Sequence, residues 1–182
     1  GGTLTCAGGL TKSGASLLTL NNANAFGGAV ALNGGALTIT APLASAGITV
    51  SSGTVFTQDV AAAISGAGAG LTVSGSAVLL GTGTYTGATT VNTGGSLVLG
   101  GALEGSSIAV GTNAFFTQSA GSVIAGSNVT VTLQSNATLG GSNAFDGVAT
   151  FGVLGTANLA YTLNNSNALG STVGDTRLYG GT

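Results

Sequence analysis

The 182-residue chain has no histidine, tryptophan or methionine, one proline, one cysteine and six charged side chains, two basic and four acidic. Each shortage excludes a class of chemistry. Without histidine, neither a Ser-His nor a Cys-His nucleophile pair can be built, and nothing marks a serine partner for Lys12 as a base. Two bases cannot neutralise the several phosphates on which nucleic-acid affinity rests, nor hold the chain to acidic lipid. The acids Asp59, Glu104, Asp146 and Asp175 are scattered, whereas a glycosidase pair must sit about 5–9.5 Å apart. Calcium-binding solenoids need a GGxGxDxUx nonapeptide in every turn, and phosphate loops need GxxxxGK[ST]; neither occurs. Cys6 cannot close a disulfide within the chain; it reads as a small core residue or a link to a neighbouring subunit. The expectation is a protein that is not an enzyme and has no cofactor, no metal, no nucleic-acid partner and no small-molecule substrate.

What remains is glycine, 35 residues of it, in a chain that is 43% apolar with a mean hydropathy of +0.57. Disordered chains combine low hydrophobicity with high charge, so this composition predicts an ordered or assembled chain. The apolar stretches, such as Val78-Leu79-Leu80 and Val60 to Ile64, are too short and too interrupted for a membrane-spanning helix. The sequence opens on Gly1-Gly2 with no methionine and no leader pattern, which predicts a mature, processed or excised segment. With so few ionisable groups, the assembled state should persist from about pH 3 to 9 and into molar salt.

Short runs alternate apolar residues with Thr or Ser: Ala36-Leu37-Thr38-Ile39-Thr40, Leu71-Thr72-Val73, Ser96-Leu97-Val98-Leu99, Asn128-Val129-Thr130-Val131-Thr132-Leu133. That period of two is the mark of half-buried strands. Between them stand turn-formers such as Asn33-Gly34-Gly35, Ser51-Ser52-Gly53 and Gly140-Gly141. Helix is almost absent from this reading.

The chain also echoes itself with a 60-residue period. Phe56-Thr57-Gln58 returns as Phe116-Thr117-Gln118, Ile48 as Ile108, Leu37 as Leu97 and Ile64 as Ile124. Tyr85 returns as Phe145, and Phe26 precedes Tyr85 by one residue less than the period. A sandwich gives each strand a distinct place and needs no echo. A solenoid stacks like on like, one coil per layer. We therefore expect an all-β, right-handed parallel β-helix (a β-solenoid) of about three 60-residue super-repeats. Each would hold about three coils of roughly 20 residues, and the chain about nine, near 43 Å at the ~4.8 Å strand spacing. The expected division is one solenoid over 1–182: a partial repeat at 1–23, repeats at 24–82 and 83–142, and a partial repeat at 143–182. Phe26, Tyr85 and Phe145 should form one stacked column, Phe56 and Phe116 another, Ile48 and Ile108 an aliphatic one, with Leu37, Leu97, Ile64 and Ile124 also inward. Ser, Thr, Asn and Gln should lie on the outer faces.

Two stretches resemble a known family. The first runs from Gly9-Leu10-Thr11-Lys12-Ser13-Gly14 through Leu17-Leu18-Thr19-Leu20 and Asn24-Ala25-Phe26-Gly27-Gly28 to Leu37. The second runs from Leu71-Thr72-Val73-Ser74-Gly75 through Gly83-Thr84-Tyr85-Thr86-Gly87-Ala88-Thr89-Thr90-Val91-Asn92 to Gly94-Gly95-Ser96-Leu97-Val98-Leu99-Gly100. Both resemble the autotransporter-associated β-strand repeat of bacterial surface proteins, typified by LTKxGxGxLxLxGxNTYTGxTxVxxGxLxLG. A third copy departs from it, with Asn143-Ala144-Phe145-Asp146-Gly147 and Phe151 where Val91 stands in the second. The resemblance implies an extracellular parallel β-helix displayed or secreted by Gram-negative bacteria, as an adhesin or a structural stalk.

Two function classes follow. One is a structural subunit of a filament, stalk or surface and biofilm matrix, whose partners are copies of itself stacked head to tail and other matrix components. The other is an adhesin passenger fragment. Adhesins carry specificity on loop insertions, and the even period favours structure. The chain closes on its own phase, Thr182 falling where Gly1 begins, and neither end reads as a charged or helical cap. Leu4 and Cys6 at one end and Leu178 and Tyr179 at the other are the expected assembly residues. Threonine triplets of the kind that bind ice (Thr3/Thr5, Thr38/Thr40, Thr84/Thr86, Thr130/Thr132) fall at scattered phases and predict no common face. The sequons at Asn128, Asn136 and Asn164 are what so Asn- and Thr-rich a chain produces by chance.

Overall fold

The structure is a computed structural model that describes residues 2–152, 159–164, 168–169 and 175–179. Its described residues form 25 short strands and no helix. All pairings are parallel, and each strand pairs with the third one along, save the last, Asp175–Leu178, which pairs with Val148–Phe151; the sheets have eight, nine and eight strands. The result is a parallel β-solenoid of about eight turns of roughly 20 residues. Each turn contributes one strand to sheet A, one to sheet B and one to sheet C. The third turn, for instance, runs through Leu43–Ala44, Ile48–Val50 and Val55–Gln58.

The alternation of the strands makes this shape. In Val55–Gln58 the residues are out, in, out, in, and their register with Ser76–Leu79 keeps each residue type on its own side. A slip of one residue would turn the apolar set outward. The inward residues of all three sheets form one continuous core. Parallel sheets normally need cover on both faces; here three of them cover one another within and leave to water outer faces that mix Thr and Ser with Ala and a few larger apolar residues.

The sequence echo spans three turns. Ile48, Leu71, Thr89 and Ile108 lie above one another in sheet B, at unequal steps that together make one period. Leu37, Phe56, Ala77, Leu97 and Phe116 form the corresponding column in sheet C. The expected partners therefore share columns but do not touch. Phe56 and Phe116 are separated by Ala77 and Leu97, and Ile48 and Ile108 by Leu71 and Thr89. Continuing the register of sheet A by a residue or two, Ser45 and Gly66 lie between Phe26 and Tyr85, and Gly105 and Gly126 between Tyr85 and Phe145. A large ring on every third level above two small residues lets the narrow interior close around it. All of Phe26, Tyr85, Phe145, Phe56, Phe116, Ile48, Ile108, Leu37, Leu97, Ile64 and Ile124 are buried.

The described residues make about eight turns. Of a ninth, Asp175–Leu178 is described, pairing with Val148–Phe151 in sheet B, and the rest falls largely outside the described residues. Gly1 and Thr182, on which the closing phase depends, lie outside the described residues, as does most of the sequon beginning at Asn164.

Candidate functional site: the outer face of sheet C

Among the described residues no group of three or more His, Cys, Asp or Glu side chains comes together. The charges are dispersed. Glu104 faces outward on sheet A, and the exposed Asp146 accepts the Asn128 backbone N–H through Oδ1. Lys12 is different: it holds an inward position, in register with Leu32 and Val50. Its stem lies in the core and its Nζ donates to the carbonyls of Ser13 (2.9 Å), Gly14 (2.7 Å) and Gly34 (3.0 Å). The one lysine is thus a clasp between the first two turns.

Polar side chains expected outside are found within. Gln58 and Gln118 are buried, because counting two residues on from an inward Phe returns to the inner side. Gln58 Nε2 donates to the carbonyls of Ala62 (3.0 Å) and Thr82 (2.9 Å). Gln118 Nε2 donates to Asn143 Oδ1 at 2.7 Å, and that oxygen also accepts the Ile124 backbone N–H at 2.9 Å. Asn143 Nδ2 donates to the Ala168 carbonyl, so one amide joins successive turns. Buried polar groups of this kind are usually satisfied locally; the corner carbonyls receive the Gln58 amide N–H groups, while Gln58 Oε1 is buried without a hydrogen-bond partner. A second chain of bonds surrounds Tyr85, whose hydroxyl meets Thr89 Oγ1 at 2.8 Å. Thr89 Oγ1 lies 2.8 Å from Ser106 Oγ, which donates to the Gly87 carbonyl. Burial pushes the Tyr85 phenol up to about 12, against a smaller downward pull from its hydroxyl neighbours.

The outside of the solenoid has a regularity that the Thr triplets conceal. On sheet C the strand register aligns Thr19, Thr38, Thr57, Val78, Val98, Thr117, Thr138 and Thr162, one per turn over eight turns. Sheet B carries a comparable column of Thr and Ala that includes Thr49, Thr72, Thr90 and Ala109. The triplets themselves lie on different faces, but single threonines line up, because turns of unequal length are equivalent in register though not in sequence spacing. Beside the Thr column on sheet C runs another: Leu17, Ala36, Val55, Ser76, Ser96 and Phe115. In it Leu17 is 61% exposed and Phe115 64%. Phe115 borders a shallow groove of about 260 Å³ with Asn136, Thr138 and Thr162. The described sheet C strands contain no Asp, Glu, Lys or Arg.

The described ends expose core positions. Leu4 is 50% exposed, and Cys6, in register with the buried Phe26, has a free and exposed thiol that donates to the Gly8 carbonyl at 3.3 Å. At the other end Leu178 continues the inward column of Phe151 yet is 74% exposed, and Tyr179 is half-buried. Tyr161 partly closes this end, ring to edge against Phe151 with centroids 5.0 Å apart.

The chain matches no family model, and no curated protein or solved structure aligns significantly with it.

Proposed function

We propose that the chain is an extracellular structural protein, a rod-forming β-solenoid subunit of a filament, stalk or surface matrix that stacks head to tail on copies of itself. The observation that carries this reading is the exposure of inward columns at both described ends, at Leu4 and Cys6 and at Leu163 and Leu178. A last coil with such side chains exposed offers strand edges and apolar surface for pairing, and soluble solenoids cover both with polar caps. Further coils, from a second copy or from more repeats of one polypeptide, would pair those edges. A contact of this kind is heterologous and open, so it propagates. The surface location rests on the likeness of Gly83 to Gly100 to the autotransporter-associated repeat. Negative-stain microscopy and light scattering test the reading: rods several times the ~40 Å of eight stacked strands are expected. A monodisperse particle of 16.9 kDa would overturn it.

A further inference from the structure

The outer columns of sheet C have a symmetry that the head-to-tail reading does not use. Read from either end, the Thr column has the same order, three Thr, two Val, three Thr. We propose that this face pairs two copies side by side, with their axes antiparallel, about a two-fold axis lying along the strands. A two-fold contact is isologous: if one residue meets another, the second meets the first. With all eight turns overlapped, Val78 meets Val98 of the second copy, Thr57 meets Thr117, Thr38 meets Thr138 and Thr19 meets Thr162. Valine faces valine and threonine faces threonine along the whole column. In the neighbouring column the same operation sets Phe115 against Val55, two exposed apolar side chains, and Ser76 against Ser96.

Three further observations name a second copy as the occupant. The face holds no charge, so nothing on it attracts a charged partner and no like charges collide in a self-pair. Its columns repeat at the strand spacing of about 4.8 Å, which a second copy matches turn for turn over all eight levels. Its size is also sufficient. Eight strands by four residues cover roughly 38 by 13 Å, or about 500 Å² on each partner and about 1,000 Å² together, at the threshold of a specific interface. One pair is therefore weak and concentration-dependent, and the contact strengthens wherever coils continue along the axis. The proposal does not depend on end-to-end stacking, which uses other surfaces.

Sedimentation of the whole chain over a concentration series tests it, with microscopy to measure the width of the particles. The expected result is a rise in mass toward twice 16.9 kDa, or rods two solenoids wide. Thr57→Lys should abolish the widening and leave length and circular dichroism unchanged, since Thr57 points outward. Thr57→Lys with Thr117→Glu should restore it, because the pairing sets each lysine against the other copy's glutamate. Single-width particles at every concentration would overturn the proposal and leave the face to a partner of other chemistry. So would double-width particles indifferent to Thr57→Lys. Loss of length with width intact would count against the stacking of ends alone.

Discussion

At the scale of the residue, the core is ordinary in its apolar members and particular in its polar ones. Tyr85 is 1% exposed, and its phenol, pushed up to about 12, holds its proton when an unfolded chain would lose it near 10. The folded state therefore binds more protons between those values, and stability must fall as pH rises through that window. Each pH unit is worth about 1.4 kcal/mol, so roughly 2 kcal/mol should be lost by pH 12. Denaturant midpoints of the native chain and Tyr85→Phe, compared at pH 8 and pH 12, isolate the effect: the gap between them should narrow or invert at the higher pH. A second contrast concerns volume. Phe116→Ala removes a fully enclosed ring whose column neighbours are Leu97 and Ala137, and should cost about 3–5 kcal/mol. Thr130→Ala, half-buried on the surface, should cost under about 1 kcal/mol. Equal midpoints for the two variants would mean that the interior collapses around the missing ring.

At the scale of the element, strand and turn are legible in different degrees. The strands can be read because alternation is a local signal, and Leu71-Thr72-Val73 declares its buried faces without help. The inward Gln58 and Gln118 are not legible, since a polar residue at the end of a strand reads as exposed until the corner carbonyls that receive it are located. The Thr columns stay hidden for a related reason. A fixed modulus cannot align turns of unequal length, and only the pairing register absorbs the longer corner at 66–70. The turns themselves keep their conformation across the period. Gly53 (φ 75°) is replaced by Asn113 (φ 57°), and Gly68 (φ 72°) by Asn128 (φ 60°), the one exchange the left-handed region tolerates well. Where the sheet C strand passes to sheet A, glycine answers a different need. A Cβ on Gly101 would lie 1.9 Å from the Gly81 carbonyl oxygen and 2.6 Å from that of Leu80. Gly101→Ala should thus force the backbones of adjacent turns apart, at a cost of about 1–3 kcal/mol or more. Gly8→Ala, with nothing within 4 Å, should be neutral or stabilise by up to about 1 kcal/mol. Thermal melts of the two variants check both signs.

At the scale of the whole molecule, each turn touches only the turns above and below, and stability becomes a sum of local terms. The unit that repeats is not the turn but the set of three. The single steps from Ile48 to Leu71, Thr89 and Ile108 differ in length, while three together return to the same phase. This gives the molecule a rule for deletion. Removing residues 61–120 joins Val60 to Gly121 at an exposed corner and sets Ile124 where Ile64 stood, Val131 in place of Leu71 and Ala137 in place of Ala77. Every inward column then continues, and only the number of levels falls. Removing residues 61–110 instead joins Val60 to Gly111, so a sheet C strand would lead straight into the corner that precedes the next sheet C strand. The strands of sheets A and B in that turn would be missing and the coil could not close. The deletion of 61–120 should retain a cooperative melt and an unchanged β-sheet signal per residue. The deletion of 61–110, though it leaves more of the chain, should lose cooperative folding or aggregate through the unpaired edges it creates. Circular dichroism and thermal melts of the two shortened chains decide the matter. Equal behaviour would mean that the coil need not keep its phase, and that the triplet of turns is not the unit of this solenoid.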